Sequence, residues 1–163
     1  SASIVGAAAA RTLVLDVALD DFGAGGKTAT GGATLTVRAA NDGLDVDLTM
    51  KMLSGDAALS GGMHVDVMLD KTTAKTTKIV FSTLPDTMVV SGATALSVDA
   101  SAVTFAAGDC YPSAGSIVFT SAGLKATLAF DSETTQSGEA QMTPPLSKKS
   151  EPLPLPGRGW KCG

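Results

Sequence analysis

The chain has 163 residues and a formal net charge of −4 at pH 7, so it lacks the clustered Lys and Arg that a grip on nucleic acid or anionic lipid requires. Charged residues make up 17% and aromatics only 4%, while glycine occurs 18 times. That balance points away from a cytosolic enzyme and towards an extracellular, periplasmic or cell-surface β protein, with a core built from Val, Leu, Ile and Met.

Residues 1–10 are small and apolar and read as an N-terminal extension, the exposed start of a processed protein. From Arg11 to Asp21, Leu13, Leu15, Val17 and Leu19 alternate with Thr12, Val14, Asp16, Ala18 and Asp20. Period two is the signature of a strand with one buried face. The glycine-rich Gly23 to Gly32 then reads as a turn, and Ala33, Leu35 and Val37 open a second strand.

Asn41, Asp42 and Gly43 tolerate the positive φ of a tight turn. After them Leu44, Val46, Leu48, Met50 and Met52 alternate with Asp45, Asp47, Thr49 and Lys51, the clearest strand pattern in the sequence. Met63, Val65, Val67 and Leu69 alternate with His64, Asp66, Met68 and Asp70, and the two runs are expected to pair as a long antiparallel hairpin. Lys71, Lys75 and Lys78 sit among threonines and read as a solvated hairpin loop rather than a binding patch.

The same rhythm predicts strands over 77–84, 87–91, 95–105, 117–119 and 124–130, with a weak one over 138–142. Helix is disfavoured because Thr, Val and Gly enter nearly every window. Only the alanine-rich start and residues 56–60 could turn helical. The expected fold is all-β, an antiparallel sandwich or barrel of about 8–10 short strands.

From Thr143 the composition changes, with Pro144, Pro145, Pro152, Pro154 and Pro156 separated by leucines. Such a segment is extended and cannot join a central strand. The chain thus divides into an extension (1–10), a β domain (11–142) and a Pro-rich strap (143–163). Leu153, Leu155 and Trp160 are the residues expected to dock the strap, onto the domain's own edge or onto a neighbour.

Cys110 and Cys162 are too far apart in sequence for a redox pair and lack zinc-ligand spacing, so a structural disulfide is the expected state. It would add about 4 kcal/mol by closing a loop of about fifty residues. A free thiol or a bridge between subunits is the alternative.

Three patterns carry possible chemistry. Gly23 to Thr28 ends in Gly-Lys-Thr but has Asp21 where a phosphate-binding loop needs glycine, and a strand follows in place of a helix. Asp45, Asp47, His64 and Asp66 fall on one outward face if the long hairpin forms, where they could ligate a divalent cation, the one cofactor the sequence suggests. Lys51 shares that face and could instead neutralise a carboxylate. Asp16, Asp20, Asp21, Asp42, Asp99 and Asp109 stand at strand ends and turns, where aspartate either captures calcium or simply forms turns.

Catalysis finds little footing. His64 is the sole histidine, it lies in a strand, and no glycine-flanked nucleophile elbow occurs. No stretch approaches the roughly 20 apolar residues of a membrane-spanning helix. The sequence therefore reads as a non-enzymatic structural or assembly subunit of a fibre, coat or surface layer, secreted or held in the envelope. Its expected partners are its own copies or another envelope protein. The alternative is an extracellular ligand-binding β module for glycan, lipid or protein.

Overall fold

The computed structural model describes residues 2–9, 12–24, 27–91 and 94–156. Nearly all of them are strand: β1 (Ala2–Ala9), β2 (Thr12–Ala24), β3 (Lys27–Ala40), β4 (Gly43–Ser54), β5 (Ala57–Leu69), β6 (Thr76–Thr83), β7 (Met88–Ser91), β8 (Thr94–Ala106), β9 (Ala114–Ser121), β10 (Leu124–Phe130), β11 (Glu139–Thr143) and β12 (Glu151–Pro154). The helical turn α1 (Thr134–Ser137) interrupts them once.

All the strands belong to one antiparallel sheet, and each pairs with the next along the chain except around β7. β6 and β7 share one lane. β6 pairs with residues 63–69 of β5 and β7 with residues 57–60 of the same strand, and β8 closes both from the other side. The lane breaks because Leu84 to Thr87 loop out of it. Thr87 Oγ1 accepts from the Gly62 N–H at 3.1 Å and donates to the Leu84 carbonyl at 2.8 Å. Gly61 and Gly62 make room for that loop: a Cβ on Gly61 would stand 2.4 Å from the Thr87 Cα, and one on Gly62 would stand 2.3 Å from the Leu48 carbonyl oxygen.

The all-β antiparallel expectation holds, and the pairing runs through one continuous sheet, with β1 and β12 at the two ends of the strand order among the described residues. Residues 2–9 extend the sheet as β1, in register with β2 from Ala2 opposite Leu19 to Ala9 opposite Thr12. They are strand, not helix. Residues 57–60 likewise belong to β5. Strands β2 and β3 run further into the glycine-rich stretch than hydropathy indicated, to Ala24 and from Lys27, because Gly, Ala and Thr carry no periodic signal yet extend readily when a neighbour supplies the ladder.

Register places the alternating residues in rows. One face carries Leu13, Val37, Val46, Val65, Phe81 and Val103 in a line across six lanes. Beside it run Leu15, Leu35, Leu48 and Met63, and then Val17, Ala33 and Met50. The opposite face carries Thr36, Asp47, His64 and Ser82 in one row and Arg38, Asp45 and Asp66 in the next.

The buried core lies at the C-terminal end of the sheet. Among the described residues the buried hydrophobics are Ala100, Val103, Phe130 and Ala140, with Phe81, Phe105, Ile117, Leu128 and Leu155 packed on them. A β-bulge builds this core. Ser101 pairs with Ser116 and Thr104 with Ala114, so β8 carries one extra residue, and Ala102 takes φ +48° to absorb it. Ala100 and Val103, three apart, therefore face the same way.

Candidate functional site

Strands β3, β4 and β5 bring four charged side chains together on the polar face. Arg38 stands opposite Asp45 in register but reaches diagonally to Asp47, its Nη1 2.5 Å from Oδ2. The other Asp47 oxygen lies 2.6 Å from His64 Nδ1, and His64 Nε2 lies 3.1 Å from Asp66 Oδ1. The result is a line of alternating charge, Arg38, Asp47, His64 and Asp66, made possible because residues paired across strands sit within side-chain reach.

Each charge tunes its neighbour. The hydrogen bond to Asp47 raises the His64 pKa above its ordinary value, with a further contribution from Asp66 and partial burial opposing both. The His64 and Arg38 hydrogen bonds lower the Asp47 pKa in turn. With both ring nitrogens protonated, the imidazolium donates to the two carboxylates, the state that this arrangement favours.

That geometry bears on the divalent-cation reading. The structure does bring Asp47, His64 and Asp66 together, and it sets Asp45 directly across from Asp66. Both His64 nitrogens and both Asp47 oxygens are engaged within the line, so direct ligation by His64 would require the imidazole to give up one of its carboxylate contacts. Among the described residues no group of three or more His, Cys, Asp or Glu side chains is disposed to hold a metal ion. Lys51 lies on the same face but outside the line, opposite Ser60.

Ser82 faces His64 in register, and the Ser82 hydroxyl accepts the Ala102 backbone N–H at 3.0 Å.

The scattered aspartates act locally. Asp16 accepts from Thr34 Oγ1 at 2.6 Å, Asp42 pairs with Lys71 at 2.5 Å, and Asp99 lies 3.5 Å from Thr83 Oγ1. Asp109 accepts the Ala106 N–H at 3.0 Å in a turn. Asp70, absent from the calcium candidates, accepts the Thr72 and Thr73 N–H groups at 2.8 and 2.7 Å, which lowers its pKa. Asp20 has a partner, while the side chain of Asp21 and residues 25 and 26 of the glycine loop lie outside the described residues. The strands flanking that loop pair up to Ala24 opposite Lys27, a hairpin in place of a phosphate cradle.

The Pro-rich strap runs back along the sheet. β12 pairs with β11, Leu153 opposite Ala140, and so forms an edge with prolines at 152 and 154. The Leu155 N–H donates to the Gly138 carbonyl at 2.8 Å and its side chain packs on the buried cluster, while Leu153 stays 38% exposed. Trp160 and Cys162 lie outside the described residues, and with Cys162 goes the expected bridge. Cys110 itself is not a free thiol.

Alternation of apolar and polar residues implies a covered apolar face. Leu13, Leu44 and Ile79, all on it, are 39%, 36% and 37% exposed. A second element packed over β2 to β5 would bury them. The chain exposes 10436 Å², against the roughly 7,500 Å² expected of a compact monomer of this mass. Where this face meets β6 and β8 it deepens into a hollow of about 530 Å³, bordered by Ile79, Phe81 and Phe105, the two phenylalanine rings stacked with centroids 6.1 Å apart.

Among the described residues no helix is long and apolar enough to cross a membrane. Comparison with protein-family models, with curated proteins and with solved structures finds no match to this chain.

Proposed function

We propose that this chain is a structural or assembly subunit of the cell exterior, secreted or held in the envelope, which contributes a sheet to a fibre, coat or surface layer. One observation carries the reading: an apolar sheet face several strands wide that the described residues leave uncovered. Exposed apolar patches of that extent on soluble proteins mark interaction surfaces. The poverty of charge and the abundance of small residues fit an exterior location. A Cys110–Cys162 bridge would fit it as well, since disulfides persist in oxidising compartments. The reading assigns no catalytic chemistry.

Light scattering and electron microscopy of the purified chain across a concentration series test this. Ordered or size-defined assemblies are the expected result. A particle that stays monomeric at every concentration and shows no partner in surface fractions of its native host overturns it.

A second reading, an extracellular ligand-binding module, draws on the hollow beside Phe81 and Phe105, whose volume falls in the range of small-molecule sites. Titration with an apolar fluorophore reports on it: saturable binding that Phe105→Ala abolishes favours the module, and non-saturable binding spread over the sheet removes that reading.

A further inference from the structure

We propose that the apolar face of β2 to β5 is a self-association surface, on which a second copy of the chain lays the same face, sheet against sheet. The inference rests on the assembly reading above and names its partner.

Chemistry and shape select the occupant. The rows Leu13–Val37–Val46–Val65, Leu15–Leu35–Leu48–Met63 and Val17–Ala33–Met50 contain no ionisable side chain and no hydroxyl. A charged or polar partner would lose hydration there and gain no partner in return. A second copy presents an equally apolar surface, and a two-fold axis brings one patch onto itself without further design. Register sets Asp16, Arg38, Asp45, Asp47, Lys51, His64 and Asp66 on the other face, so two stacked sheets keep these charges outside.

Size agrees. Four lanes about 4.8 Å apart and about ten residues long at 3.3 Å each present roughly 600 Å² per copy. Counted on both copies that is about 1,200 Å², at the lower bound of stable specific interfaces. Sheets packed at about 10 Å interdigitate branched and flexible side chains, and Val37, Val46, Val65, Met50 and Met63 supply both. The second copy then supplies over β2 to β5 the layer that no other described element provides.

Sedimentation equilibrium of the full chain from micromolar to millimolar concentration, with Val46→Lys on the apolar face and Thr49→Lys on the polar face, tests the proposal. The expected result is a dimer that Val46→Lys weakens at least 100-fold and that Thr49→Lys leaves intact, with far-UV circular dichroism unchanged in both. A variant-free measurement stands beside it in case Val46→Lys fails to fold: as the dimer forms, peroxide oxidation of Met50 and Met63 should slow several-fold while that of Met68, on the polar face and 39% exposed, keeps its rate. An assembly that persists in folded Val46→Lys, or that protects Met68 as much as Met50, overturns this interface but leaves the assembly reading standing. A wild-type chain that stays monomeric to millimolar concentration overturns the self-association proposal, and the assembly reading then depends on a different partner being found.

Discussion

Asp47 stands directly across from His64 on the β4–β5 ladder, its carboxylate 2.6 Å from the imidazole Nδ1. The pair ties the middle of the sheet together on the side away from the apolar face, and its protonation sets a pH window for stability.

Folding raises the His64 pKa, so its contribution is complete below the ordinary value of 6.5 and is lost as pH rises through the higher folded value. Folding lowers the Asp47 pKa, so its contribution is complete above 3.8 and is lost as pH falls through the lower folded value. Both are in place between about pH 4 and 6.5. Thermal melts across pH 3 to 9 should therefore peak in that interval, and His64→Gln should flatten the alkaline limb. With 36% of the His64 side chain exposed, the loss should be about 1 kcal/mol or less. An alkaline limb as steep in His64→Gln as in the wild type rules this account out.

Gly62→Ala should destabilise the chain by about 2 to 3 kcal/mol, the cost of forcing a methyl into a filled space. The new Cβ would meet the Leu48 carbonyl at 2.3 Å and the Leu84 side chain at 2.8 Å. Urea denaturation measures it. Gly55→Ala offers the comparison, because a Cβ there meets nothing within 4 Å and the cost is confined to its φ of +56°.

Ala122→Asn should stabilise. The β9–β10 hairpin turns at Ala122 and Gly123, with φ +48° and +77°, and two positive φ angles in a two-residue loop make a type I′ turn that favours Asn-Gly. Relieving alanine there should add about 1 kcal/mol and raise the melting temperature by about 2 to 4 °C. Calorimetry showing no rise would contradict the turn assignment.

Asp131→Ala should loosen the turn that leads into β11. Asp131 Oδ1 accepts the Glu133 and Thr134 N–H groups at 3.0 Å each and the Thr134 hydroxyl at 3.1 Å. Thr134 is 1% exposed, so it keeps a buried hydroxyl with one acceptor fewer. The expected cost is about 1 to 2 kcal/mol, read by denaturation, with faster hydrogen exchange over residues 131–140.

Alternation of side chains at every second position, broken by Asn-Asp and Gly-Asp bends, was enough to specify strands β2, β4, β5 and β8 and the antiparallel pairing of β4 with β5. That information is local, because a side-chain period of two and a turn that needs positive φ are properties of neighbouring residues. It also sufficed to place Asp47, His64 and Asp66 on one face. Other features required the folded chain. β1 and the start of β3 are dominated by small residues, Ala and Gly in β1 and Ala, Gly and Thr in β3, which carry little periodic signal and take strand form when an adjacent strand offers its ladder. The bulge at Ala102, which turns Ala100 and Val103 to the same side, breaks the alternation on which sequence reading depends. The contacts among Asp47, His64 and Asp66 met the same limit, since which carboxylate oxygen meets which His64 nitrogen depends on side-chain angles that no spacing encodes. Likewise, hydropathy distinguished an oily face from a wet one, but it contains no record of what covers the oily face, because burial is a property of layers in space.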